Sequence, residues 1–309
     1  MIHAGVSLRA PGEGRTFWTC AADTRAMARL TAITALLAAV VVAVRGLEFP
    51  PADWVSPLAM VALLGGLAVF YERIRPAPNF VLCLKALGML VAFSSVYAVF
   101  MYALATTARP LADPWLAAGD RSLGLSADRL IRWVNARPMV EVVLRVAYFS
   151  LIPQTILTIV WLGLANDRRT LDRFLLRFML GALATAVGFY WWPAIGTCAS
   201  HDVAVPAHYQ AIVEHLQALR GGTRTLVSWR DAEGLITFPS FHAIWAILLV
   251  SAFYGRRKAF YPLALLNAVV LLSTVTTGMH YFIDVLVGSA IAMAVILATP
   301  LSEGSPGTA

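Results

Sequence analysis

The chain has 309 residues, 59% hydrophobic and 13% charged, with a formal net charge of +7. Soluble domains carry about 25% charged residues, so an ordinary soluble domain is excluded. The long apolar runs do not alternate as barrel strands do, and arginines placed between such runs orient a membrane protein more readily than they bind nucleic acid. The expected fold class is therefore an all-α integral membrane protein, and no nucleic-acid partner is expected.

In chain order, the polar segment 1–26 lacks the short apolar region and small-residue site of a cleaved leader, so the first apolar run is expected to stay as a span. About eight spans are predicted, near 30–46, 55–71, 80–106, 140–165, 174–194, 240–256, 259–277 and 280–298. Two long connections interrupt them. Residues 107–139 mix apolar residues at helical spacing with charges, as interfacial helices do. The stretch "AHYQAIVEHLQALRGG" reads as one amphipathic helix ended by Gly221 and Gly222. Cys20, Cys83 and Cys198 are scattered and suggest neither a disulfide framework nor a metal site.

The tight loops on one side hold Arg73 and Arg75, then Arg168, Arg169 and Arg173, then Arg256, Arg257 and Lys258; the N-terminal tail adds Arg9, Arg15, Arg25 and Arg29. The positive-inside rule puts these loops and both termini in the cytoplasm of a plasma or inner membrane. The long connections, and the starts of the sixth and eighth spans, then face outward.

Two of those span starts carry polar side chains. In "TTGMHYFIDVLVGS", His280 and Asp284 are four apart and share a helix face. A carboxylate there can orient the imidazole and leave its other nitrogen a better nucleophile. An acid inside an apolar run is costly and points to function. In "ITFPSFHAIWAILLV", Pro239 suits the first turn of a helix. The free N–H groups of that turn, the Ser240 hydroxyl and the His242 imidazole would suit a phosphate-sized anion. Both spans run inward from the same face, so the two histidines can approach each other. One would attack phosphorus and the other would protonate the leaving oxygen.

"FPSFHA" followed by "GMHYFIDVLVG" resembles the second and third motifs of the type 2 phosphatidic acid phosphatase superfamily. The most similar branch is that of the inositol phosphorylceramide synthases and inositol phosphotransferases. The resemblance implies that the C-terminal spans form a phosphatidic-acid-phosphatase-like helical bundle, the catalytic membrane domain, over 107–298. Residues 1–106 would be a tail with accessory spans, and 299–309 a short tail. It also implies that His280 is the nucleophile, Asp284 its orienting carboxylate, His242 the general acid and Ser240 a phosphate-binding donor, without metal or other cofactor. The implied partners are a membrane lipid phosphate and an acceptor, either water or a small or lipid alcohol.

Two cations of the general pattern are absent. The region before the second motif reads "FYWWPAIGTCAS", and Thr274 stands six residues before His280 where an arginine is usual. Arg145, Arg220, Arg224 and Arg230 are the candidate replacements, with Arg145 and Arg230 placed among the phosphate-binding residues. Blander readings stand beside these. Ser240 could simply cap its helix, Arg145, Lys85 and Arg177 could snorkel, Trp191 and Trp192 could form an interfacial belt, and Asp120 could cap an interface helix. His201, His208 and His215 read as surface residues. Two rival functions use the same site residues: a proton-coupled transporter with a His–Asp relay, and an inactive member of the same fold.

Overall fold

A computed structural model describes residues 16–197, 207–228, 237–277 and 280–300. The described residues form helices α1 (Thr16–Arg45), α2 (Pro51–Arg73), α3 (Pro78–Ala105), α4 (Asp113–Ser122), α5 (Ala127–Asn135), α6 (Pro138–Phe149), α7 (Leu151–Leu164), α8 (Arg168–Trp191), α9 (Ala207–Arg220), α10 (Phe241–Ser251), α11 (Arg257–Thr276) and α12 (Phe282–Ala298). No β-strand occurs among them; one isolated bridge joins Glu48 to Leu226. The chain is an all-helical, multi-pass membrane protein.

Five helices are long and apolar enough to cross a bilayer alone: α1, α2, α3, α8 and α11. A sixth crossing comes from α6 and α7 together, bent by 43°. Pro153 explains the break, because it cannot donate to the Phe149 carbonyl four residues earlier and its ring crowds that oxygen. The remaining two expected spans are shorter than the sequence suggests. Helix α10 has only 11 residues, roughly 16 Å of rise, well short of the hydrocarbon thickness. Helix α12 has 17.

Helix α8 is the central element. From Leu171 to Phe189 most of its side chains are buried, and it packs against α1, α3, α7, α10 and α12. Large apolar residues of α2, such as Val55, Leu58 and Leu63, are exposed, as a lipid-facing surface requires. The connection 107–139 folds into the short helices α4 and α5, and α9 ends before Gly222, whose φ of +68° stops it. Arg177 does not snorkel. It is buried and donates to the Thr299 hydroxyl (3.0 Å) and carbonyl (2.7 Å) at the end of α12. Lys85, by contrast, is exposed and pairs with Glu72 at 3.1 Å.

Helices α10 and α12 approach each other closely at Gly288. A Cβ on Gly288 would lie 2.5 Å from the Ser240 carbonyl oxygen and 3.2 Å from the Ala243 Cβ. Backbone cannot yield cheaply there, so Gly288→Ala should destabilise the protein by about 1–3 kcal/mol and lower its thermal unfolding midpoint in detergent. Gly65→Ala on α2, where an added Cβ meets nothing within 4 Å, should leave the midpoint unchanged or slightly raised. Equal midpoints for the two variants would contradict this packing.

Candidate active site

The α10 and α12 N-termini lie side by side, tied by a hydrogen bond from the Ser240 N–H to the Asp284 carbonyl (3.3 Å). Ser240 is the α10 N-cap, and its side-chain oxygen accepts from the Ala243 N–H at 3.3 Å. Pro239 thus precedes the helix instead of opening its first turn, and its ring packs against Gly188 of α8. Gly188 has to be glycine here: a Cβ would fall 2.4 Å from the proline Cδ. The N–H groups of Phe241 and His242 make no hydrogen bond among the described residues.

At α12 the first turn is fully occupied. The Asp120 carboxylate, from α4, accepts from the N–H groups of Phe282 (3.0 Å) and Ile283 (2.9 Å). Asp284 reaches back to accept from the Tyr281 N–H (3.0 Å), the return half of a capping box. Asp113, at the start of α4, accepts from the N–H groups of Ile195 and Gly196 and from the Tyr281 hydroxyl. All three carboxylates are buried, and each is stabilised by backbone donors where water is scarce.

His280 sits immediately before α12, its N–H bonded to the Thr274 carbonyl (3.2 Å). Its ring lies 5.9 Å, centroid to centroid, from that of His242, tilted by 66°. Its Nδ1 is 3.5 Å from Asp284 Oδ2, longer than a full hydrogen bond, as catalytic contacts often are before substrate binds. The Thr237 backbone also bonds the His280 ring. Tyr148 of α6 stacks on His242 at 4.5 Å and 25°. The helix break two residues later turns the chain away from this contact. His242 Nδ1, His280 Nδ1 and Asp284 Oδ1 are all buried without a hydrogen-bond partner. Three unsatisfied polar atoms at one spot are unusual in a folded interior and suit a polar ligand.

Of the residues expected from sequence, His242, His280, Asp284 and Ser240 meet here. Arg145 is half-exposed on α6 and pairs with Glu141 at 3.2 Å. Arg230 lies outside the described residues, as does His201. Arg220 holds the carbonyls of Thr107 and Arg109, and Arg224 that of Leu226. Thr274 is fully buried, its hydroxyl bonded to the Leu271 carbonyl. Trp191 and Trp192 are exposed, and Arg109 stacks over Tyr190 and Trp191. Among the described residues no group of three or more His, Cys, Asp or Glu side chains could hold a metal ion.

A family profile described as PAP2 superfamily matches residues 114–298, more than half of the chain. The chain belongs to the PAP2 superfamily. The matched region runs from the second residue of α4 to the end of α12, so it contains both histidines, Asp120 and Asp284. Membership places the protein, at the general level, among phosphatase-type and phosphotransfer-type lipid enzymes. Searches against curated proteins and solved structures return no match.

The sequence favours Asp120 as a cap or staple of an interface helix, with a role in the site as the alternative. In the structure Asp120 caps α12 from a position 162 residues away, which a local pattern cannot reveal. Asp120→Ala should strip two buried donors of their acceptor, at about 1–3 kcal/mol each. Hydrogen–deuterium exchange should then speed up at the Phe282 and Ile283 amides while the interior of α8 stays protected. Asp120→Asn, which keeps one acceptor oxygen, should show a smaller effect. Unchanged exchange at both amides would contradict the capping role.

Proposed function

We propose that this protein is a lipid phosphotransfer enzyme that works through a phosphohistidine. The observation that carries the reading is the cluster of unpartnered atoms on His242, His280 and Asp284 within one buried site. A phosphoryl group bound beside the two rings would give the His242 nitrogen an acceptor, and a closer approach of the His280 Nδ1–H to the Asp284 carboxylate would satisfy the other pair. Superfamily membership supports the same chemistry.

In the first step substrate displaces the Thr237 carbonyl from the His280 ring, the ring takes the tautomer with its proton on Nδ1 facing Asp284, and the freed Nε2 lone pair attacks the phosphorus of a lipid phosphoester or pyrophosphate. The N–P bond forms as the bond from phosphorus to the leaving oxygen breaks. His242, protonated, gives its proton to that oxygen. Asp284 orients the attacking imidazole and stabilises the positive charge it acquires. In the second step neutral His242 removes a proton from water or an alcohol. The resulting oxygen attacks phosphorus, the N–P bond breaks, and His280 is restored.

Transfer to an alcohol, in the manner of the inositol phosphotransferases, is the finer reading. The motif departures at Thr274 and in "FYWWPAIGTCAS" support it. Ser240 and the N–H groups of Phe241 and His242 serve as the neutral phosphate donors. Arg145, one turn before Tyr148, and Arg230 are the proposed cations; Arg145 would exchange Glu141 for phosphate. The Arg-rich loops support a reading with both termini in the cytoplasm and the site on the opposite face.

His280→Ala should abolish release of phosphate or headgroup from lipid phosphate in detergent and prevent trapping of an acid-labile phosphoenzyme. Asp284→Asn should lower kcat by roughly 10²- to 10⁴-fold with binding little changed. Phosphoryl product appearing only when an alcohol is supplied identifies a transferase, and free phosphate in its absence a phosphatase. Turnover by His280→Ala close to that of the unaltered protein would overturn the mechanism.

A further inference from the structure

At the end of α10 remote from the histidines, a groove of about 710 Å³ opens between α8, α10, α11 and α12. Its origin is the shortness of α10. Helices α10 and α12 start together, but α10 stops at Ser251 while α12 continues to Ala298. The walls are apolar, with Ile247, Val250, Leu271 and Met293 among them. Besides Ser251 and Tyr254 at its rim, two buried polar side chains line this hydrocarbon setting, Arg177 and Asn267.

Both are buried and incompletely satisfied. Arg177 is 6% exposed. Two of its N–H groups bond to Thr299, and no carboxylate pairs with it among the described residues. The charged side chain that acts on it is Arg173, of like sign, whose own partner is Asp23 at 3.2 Å. Asn267 donates to Gln154 and Leu263 but leaves its buried Oδ1 without a partner. Holding the end of α12 explains the two bonds to Thr299. It does not explain a guanidinium without a counter-ion among the described residues, because a helix C-terminus carries only about half a negative charge and a buried charge needs fuller compensation.

We propose that the groove binds an anionic phospholipid, its phosphate on the Arg177 guanidinium and one acyl chain along Ile247, Val250, Leu271 and Met293. The volume is that of a small-molecule pocket. Long helical side chains lean toward their own N-terminus, which carries the guanidinium toward the end of α8 that begins at Arg168 and Arg169. Basic pockets between membrane helices near such an arginine-rich face take acidic headgroups. The chemistry at the histidines plays no part in this binding, so the two readings can fail separately.

The test uses purified full-length protein in detergent and native mass spectrometry with phosphatidylglycerol, phosphatidylcholine of the same chains, and oleate. Phosphatidylglycerol should bind at least about tenfold more tightly than phosphatidylcholine, the order of discrimination expected for one ion pair. Arg177→Gln should erase that preference. Ala268→Trp, which fills the groove and keeps the guanidinium, should weaken both phospholipids, and His280→Ala should leave the preference intact. Equal binding of the two phospholipids, a preference that survives Arg177→Gln, or oleate matching phosphatidylglycerol would each overturn the proposal.

Discussion

The site depends on one constraint: helix N-terminal N–H groups buried away from water must find acceptors. At α12 those acceptors are carboxylates. Asp120 takes two donors of the first turn and Asp284 takes the N-cap donor. This anchors the start of α12 to α4 and helps to fix the segment before it, the N-cap Tyr281 and then His280. Asp113, at the start of α4, holds the segment after α8 through Ile195 and Gly196 and reaches Tyr281 as well. A short interfacial helix thereby clamps two distant parts of the chain at one level. Without the clamp, nothing in the local sequence around His280 would hold its ring beside Asp284 and opposite His242.

The clamp has an electrostatic consequence. Capping carboxylates use up the donors and offset the positive dipole end of α12. That helix mouth is therefore closed to an anion. The mouth of α10 is different, because its N-cap is neutral serine and two first-turn N–H groups remain without acceptors. Both Asp113 and Asp120 are near enough to act on Asp284, so the region behind His280 is negative while the region beside His242 offers donors. On the proposed reading, this asymmetry would steer an incoming phosphate to the α10 side, with His280 on the acid-backed side. The division fits a nucleophile that must gain positive charge as it attacks.

Much of this could be read from the sequence, for reasons that depend on range. His280 and Asp284 are four residues apart at one span start, so their nearness follows from local spacing, although His280 precedes the N-cap Tyr281 and does not share a helix face with Asp284. The cap at Ser240 and the end of α9 before Gly222 follow from equally local rules. The meeting of His242 with His280 also follows, from the direction of the spans and the like placement of both motifs. What lay beyond reach involves partners on other elements. Tyr148 sits in an apolar run with no polar pattern around it, yet stacks on His242. Asp113 and Asp120 are seven apart on a short amphipathic helix, a spacing equally suited to a solvated face. Arg177 looked like a residue near a span end, but its helix is packed on many sides, so its charge is enclosed. Helix α10 is shorter than the expected span because Ala252 to Gly255 continue the apolar composition of the helix without continuing its backbone.

The first three helices fall almost wholly outside the region matched by the superfamily profile, yet they are not merely appended. Helix α1 supplies Asp23 to Arg173, and α3 accommodates Tyr97, whose hydroxyl donates to the Ala182 carbonyl inside α8. Both contacts satisfy polar groups of the central helix that lipid cannot satisfy. Helix α8 in turn carries Gly188, the only residue type that lets Pro239 approach and set the start of α10. The accessory helices thus allow α8 to keep polar residues in a membrane setting, and α8 sets the position of the His242 mouth. Placement of that imidazole is a property of the packed bundle and not of the two motifs alone.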